Sequence, residues 1–244
     1  MLTEFYSCYK VTARTKQELL GQSWSHQMDF KRARTEEQKS IRIDQIIEAT
    51  LDLYETIPYD KLTLATIAEN LDFSRANIYQ YVRSKEDIFF LVTVRESEAL
   101  IKKILDAFSP ARIISIEEFA ERLAKIFIDS SLFFKLLSVN NSLINDDVSP
   151  ELKIDSIEDS RLRLYEIFVK LCDVVSKTVD GLDADKFCCF YMWASNYTIG
   201  FYRNNMMKFG QYVITSIGGY AKEDISTSLS RFFTMSLKAL LGKN

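Results

Sequence analysis

Histidine is nearly absent from this 244-residue chain: there is one, His26, and it lies outside any periodic segment. A Ser-His-Asp or Cys-His arrangement around a core histidine is therefore excluded, as are histidine-rich zinc and di-iron sites. Glycine (7) and proline (3) are scarce, which suits a helix-rich protein with few tight turns and leaves no glycine-rich phosphate loop. The four cysteines, Cys8, Cys172, Cys188 and Cys189, form no CxxC pair. That usage fits a reducing cytoplasm and argues against a disulfide framework. Cys188-Cys189 has only Lys186 as a basic neighbour, so packing is a plainer role for it than oxidant sensing.

A charge excess is missing too. Lys and Arg number 31 against 34 Asp and Glu, for a net charge of −3. The chain is not a polycation, and any nucleic-acid binding must come from a local basic surface. No continuous apolar stretch of a secretory leader opens the sequence. The longest uncharged run of the C-terminal half, residues 187–202, is shorter than the ~18 residues expected of a membrane span and contains Ser195, Asn196 and Gly200. A buried or interface helix is the expectation there.

What is present is helical periodicity, with no strand alternation and no internal repeat. A first helix is expected over about 36–55, capped by Thr35, with Ile43, Ile46, Ile47, Thr50 and Tyr54 inward and Ile57-Pro58 closing it. A longer helix is expected over 85–108, stopped by Ser109-Pro110. Beyond it, Ile116, Phe119, Leu123, Ile126 and Phe127 form one stripe, and residues 132–137 a short apolar helix. Residues 139–150 read as a polar loop. Further helices are expected over about 149–179, ended by Gly181, then 183–207, then 222–241, with 210–220 as a flexible connection.

Residues 62–89 carry the most information. The hydroxyl of Thr63 is placed to cap a short helix in which Leu64, Ile67, Ala68 and Leu71 share a face. Leu71-Asp72-Phe73 breaks that pattern, and Ser74 caps a second helix reaching Val82. Ile78 and Val82 point inward from it, while Arg75, Asn77, Tyr79, Gln80 and Tyr81 are left for the outer and flanking faces. This is a helix-turn-helix with a polar recognition helix. Arg75 suits a bidentate pair with guanine, and Asn77 or Gln80 with adenine, at ~1–3 kcal/mol of discrimination each. Ala76 allows close approach and contact with a thymine methyl. The hydroxyls of Tyr79 and Tyr81 suit phosphate oxygens, Thr63 and Lys85 sit at the starts of flanking helices where phosphate is favoured, and Ser74 stands with Arg75, Ala76 and Asn77 at the N-terminus where base edges are reached. Lys31, Arg32 and Arg34 form a basic arm before the first helix.

The same residues resemble the tetracycline-repressor (TetR) family of bacterial transcription regulators. The matches are Thr63, Ile67, Ala68, Ser74, Ile78, Tyr79, Tyr81, Val82, Ser84, Lys85, Glu86 and Ile88, with the Tyr-x-Tyr-Val-x-Ser-Lys-Glu continuation the most specific part. Asp72 stands where the family usually has glycine, a position that tends to need φ > 0 and that Asp tolerates better than most residues. The resemblance implies an all-α protein of about nine helices. Residues 28–84 would form a three-helix DNA-binding domain, and 85–244 a larger ligand-binding and dimerisation domain, with helix 85–108 joining the two. Residues 1–27 would be an upstream, disordered extension.

It further implies a cytoplasmic homodimeric repressor, not an enzyme, that needs no cofactor or metal. Such a protein binds a double-stranded operator with inverted-repeat symmetry and leaves it when a small inducer enters the C-terminal domain. Dimerisation has a physical reason of its own, because one recognition helix reads only a few base pairs. Residues 187–202 and Phe232-Phe233 are the candidate interface. Phe134, Phe168, Trp193 and Tyr197 are candidates for the walls of a pocket suited to a small hydrophobic ligand. The alternative is the same DNA-binding fold controlled by a protein partner instead of a small molecule.

Overall fold

A computed structural model describes residues 30–71, 75–139, 154–206 and 224–243. The extension at 1–27, the turn at Asp72, the cap at Ser74, the loop after Val139 and the connection at 210–220 lie outside the described residues. Among the described residues the regular structure is helical throughout. By compactness the chain divides into Met1–Gln45 and Ile46–Asn244.

Helix α1 runs from Phe30 to Tyr54. It starts earlier than the sequence pattern suggests, so Thr35 lies within the helix instead of capping it. The reason is local: Lys31, Arg32, Ala33 and Arg34 are strong helix formers with no breaker among them. The basic arm is thus the first stretch of α1. At the other end, the amides of Thr56 and Ile57 still reach back to the Leu53 carbonyl, and Pro58 then stops the ladder. A 3₁₀ turn, Tyr59–Lys61, follows.

Helix α2 (Leu64–Asn70) and the single turn α3 (Arg75–Ile78) form the helix-turn-helix pair and pack on each other. Helix α4 (Lys85–Phe108) has the expected bounds. Its inward residues fall in two groups: Ile88, Phe89 and Val92 near the start, and Leu100, Ile101, Ile104 and Phe108 near the end, all buried. The second group joins the main hydrophobic core.

That core is built by α4 together with α5 (Ile116–Asp129), α6 (Ser131–Val139), α7 (Ile154–Val175), α8 (Ala184–Met206) and α9 (Ile225–Leu241). Phe127 is its hub. Its ring centroid lies 4.6 Å from Phe134, 5.3 Å from Phe233 and 6.0 Å from Tyr191, which ties α5 to α6, α9 and α8. Each of these helices announces its start by a side-chain cap where one is described: Ser115 for α5 and Asp224 for α9 accept from amides of the first turn.

Helix α7 ends at Val175, earlier than expected, and Gly181 closes a turn instead of the helix. Ser176 and Thr178 explain this, since their hydroxyls donate to the carbonyls of Asp173 and Val175 and compete with the helical ladder. The Thr178 carbonyl then accepts from Ile114, and Gly181 takes a φ of 81° that a side chain would strain. Among the described residues no helix is long and apolar enough to cross a membrane.

Phe127→Ala should lower the unfolding free energy by ~3–5 kcal/mol in a urea titration, because it opens a cavity among four helices. Ile113→Ala, at a residue 69 % exposed, should stay within ~0.5 kcal/mol of the parent.

Candidate nucleic-acid interface

The helix-turn-helix is held from below by apolar side chains and left polar above. Leu62, Ile67 and Ala68 are buried under α2, and Ile78 and Val82 are buried behind α3. Thr63 caps α2 as its sequence position suggests: its Oγ1 accepts from the Thr66 amide at 3.2 Å and lies 2.9 Å from the Thr66 hydroxyl.

The second helix is shorter than residues 74–82. After Arg75–Ile78 the chain continues as turns, with Gln80 N donating to Asn77 O and both Tyr81 N and Val82 N to Ile78 O. Asparagine and tyrosine have modest helix propensity, so local preference does little to hold this segment in a continuing helix.

The consequence is an outward display. Asn77 and Gln80 are exposed, Tyr79 is 58 % exposed, and Tyr81 is half-buried. Arg75 and Ala76 form the first turn of α3, which places them beside Asn77 at the start of the segment. The side chains of Arg75, Ala76, Lys31, Arg32 and Arg34 lie outside the described residues, as does Ser74 entirely.

Behind this surface, the start of α4 is a rigid joint. Ser84 Oγ accepts from the Asp87 amide at 3.1 Å, while Asp87 Oδ2 accepts from the amides of Ser84 (3.2 Å) and Arg83 (2.9 Å). This reciprocal capping box satisfies three donors at the exit of the recognition segment. Asp87 is buried, and its Oδ1 has no hydrogen-bond partner.

A second tie reaches across the motif. Lys85 Nζ donates to the Tyr59 carbonyl at 2.9 Å and lies 4.4 Å above the Tyr59 ring. The Tyr59 hydroxyl in turn donates to Glu86 at 3.2 Å, and its ring meets Phe89 edge-on at 4.8 Å. Tyr59 was not legible as a site residue, since its partners lie 26 and 27 positions away. The Pro58-Tyr59 step at the end of α1 is the only local sign of it.

The four pocket candidates lie on α6, α7 and α8. Phe134 is wholly buried, with ring contacts to Phe127 and Phe133, and Phe168 meets Tyr191 edge-on. Tyr197 stacks on Phe232 at 4.0 Å and shares a hydrogen bond with Ser228, whereas Trp193 is 41 % exposed. A groove of about 400 Å³ along α4 and α7 is lined instead by Arg95, Glu98, Ala99, Lys102, Arg163 and Ile167.

Residues 46–92, which hold the end of α1, the helix-turn-helix and the first third of α4, match the model of a family described as bacterial regulatory proteins, tetR family. No curated protein matches the chain in sequence. Similar solved structures include the fatty acid degradation regulator FadR from Bacillus halodurans, at 15 % identity and TM-score 0.44, covering 80 % of this chain and 94 % of that one. The TetR family transcriptional regulator PfmR from Thermus thermophilus is 18 % identical with TM-score 0.43, covering 79 % and 97 %. A transcriptional regulator of the TetR/AcrR family from Thermobifida fusca is 21 % identical with TM-score 0.39, covering 83 % and 98 %. The family match rests on residues 46–92, not on these distant likenesses.

Ser84→Ala should cost ~1 kcal/mol of stability through loss of the cap. Asp87→Ala should cost more, ~1–3 kcal/mol per backbone donor left unpaired. Urea denaturation followed by circular dichroism checks both, and equal stability of Ser84→Ala and the parent would remove the joint from the account.

Proposed function

We propose, from the match of residues 46–92 to the tetR family of bacterial regulatory proteins, that the chain is a DNA-binding regulator of that family, a cytoplasmic homodimeric repressor released from an inverted-repeat operator by a small hydrophobic ligand. The observation that carries the DNA-reading assignment is the two-sidedness of residues 75–82. Ile78 and Val82 are buried, while Asn77 just before them and Tyr79 and Gln80 between them are exposed. The residue types of that outward face suit base edges and phosphates.

On this reading the N-terminal turn of α3 enters the major groove, with Arg75 on guanine and Asn77 or Gln80 on adenine. Ala76 approaches a thymine methyl. Ser74 stands beside Arg75 at the same base edges, and Thr63, Tyr79 and Tyr81 hold the flanking phosphates. Lys85 has spent one N–H on the Tyr59 carbonyl, and an ammonium has three, so it both braces the motif and meets phosphate.

Two-fold pairing of subunits is supported by apolar side chains left at the surface of the last two long helices: Trp193 on α8 and Met235 on α9, 41 % and 63 % exposed. Phe187, Phe190 and Phe233, from the same run and pair, are buried within the subunit, so the interface would use the other faces of α8 and α9. A ligand acts through unequal affinity for the DNA-competent and incompetent states, with couplings of ~1–3 kcal/mol typical. Helix α4 is the transmitting element, since one end lies in the main core and the other carries the joint at Ser84 and Asp87. For the pocket, Phe134, Phe168, Trp193 and Tyr197 supply aromatic walls, and the groove along α4 and α7 is a second candidate.

The double variant Arg75→Ala/Asn77→Ala should lose two base contacts, about 2–6 kcal/mol of discrimination at ~1–3 kcal/mol each, while keeping the parent's mass in solution. Operator titrations by fluorescence anisotropy, beside light scattering, check this. Undiminished preference for the operator over random DNA would refute the assignment.

A further inference from the structure

Helices α7 and α8 bring together two cysteines that lie 16 positions apart in the chain, with Cys172 Sγ 3.5 Å from Cys188 Sγ. Cys172, in the last turn of α7, is buried, and Cys188, near the start of α8, is half-buried. Cys172 is therefore the more enclosed of the two residues. Their setting is rigid, since Leu171, Val175 and Phe187 beside them are fully buried. Cys189 follows Cys188 directly, but successive helical positions differ by roughly 100° in direction, so the two sulfurs leave α8 on different sides.

The pair is asymmetric. The hydrogen bond with Cys188 and then burial push the Cys172 thiol well above the usual range. The same hydrogen bond, received from Cys172, lowers the Cys188 thiol, against the opposing effects of burial and of the Asp185 carboxylate. Cys188 thus holds more thiolate character and the greater access to solvent, while Cys172 keeps its proton within bonding reach.

We propose that Cys172 and Cys188 form a hydroperoxide-responsive thiol pair, in which Cys188 is the attacking sulfur and Cys172 resolves it to a disulfide joining α7 and α8. In the first step the Cys188 thiolate attacks one peroxide oxygen. The O–O bond breaks, and the alkoxide or hydroxide leaves and takes a proton from solvent, so sulfur is oxidised to a sulfenic acid and the peroxide is reduced. In the second step the Cys172 sulfur attacks the sulfenic sulfur. The S–O bond breaks, and the departing hydroxide leaves as water with the Cys172 proton. The sum is two thiols and one hydroperoxide giving one disulfide, one alcohol and one water. Closing from 3.5 Å to the ~2.05 Å of a disulfide bond needs an approach of about 1.5 Å, within the reach of side-chain rotation. Cys188 thereby has a role beyond packing that Cys188-Cys189 does not suggest in sequence, because its partner comes from another helix.

The test does not depend on DNA binding. The reduced full-length protein is treated with a small molar excess of hydrogen peroxide, remaining thiols are alkylated, and peptides are mapped with and without dithiothreitol. The expected product is one reducible intramolecular cross-link between Cys172 and Cys188, with Cys189 alkylated. In Cys172→Ser the cross-link should vanish, and dimedone should capture a sulfenic acid at Cys188. Two results would overturn the proposal: alkylation of both Cys172 and Cys188 at a peroxide dose that oxidises an unstructured reference thiol peptide added to the same sample, or a cross-link that uses Cys189 in preference. The parent protein alone decides between these outcomes, whatever the folding of the variant.

Discussion

The hydrogen bonds between Ser84 and Asp87 are the constraint on which the rest of this molecule depends. The Asp87 carboxylate is buried, yet it holds the amides of Arg83 and Ser84, and Ser84 returns the bond. Removing a carboxylate from water is costly unless donors replace the lost hydration, so this arrangement leaves the chain few ways to enter α4. The segment just before the joint is aimed by it, because Val82 and Ile78 are seated only two and six residues before Ser84. Directly after the joint runs α4, whose far end lies in the hydrophobic core that includes Phe127.

The Tyr59 clasp adds a second strut at the same place. Lys85 reaches a carbonyl and a ring of the turn that ends α1, and Glu86 takes the hydroxyl of that ring. A partly desolvated cation over an aromatic face contributes roughly 0.5–2 kcal/mol, similar to a helix cap. Together the two ties make the start of α4 stiffer than the short helices it carries. That is what a reading element of only a few residues requires, since a single-turn helix has almost no cooperative stability of its own. A displacement of α4 would therefore reach the recognition segment as a rigid shift.

Much of this was legible in the sequence, and the reasons are physical. Thr63, Ile67, Ala68, Ile78 and Val82 are fixed by spacing within one or two helical turns, and periodicity reports such local geometry directly. The bounds of α4 were legible because Ser84 and Ser109-Pro110 are strong local signals. Where competition between local signals decides the outcome, the reading missed. Thr35 looked like a cap, but the helix formers before it carry α1 through, and Ser176 with Thr178 end α7 ahead of Gly181. Contacts between distant residues were not legible at all. Tyr59 with Lys85 and Cys172 with Cys188 depend on how helices are packed, which no spacing within one helix records.

The central claim is that residues 75–82 read specific base pairs and that the protein does so twice, about a two-fold axis. Selection of the purified full-length protein against a random-sequence duplex library tests it most directly. The account predicts enrichment of one inverted repeat, with half-sites about one helical turn apart and strongest information where Arg75 and Asn77 would lie. Recovery of DNA with no sequence enriched over the starting library would contradict it.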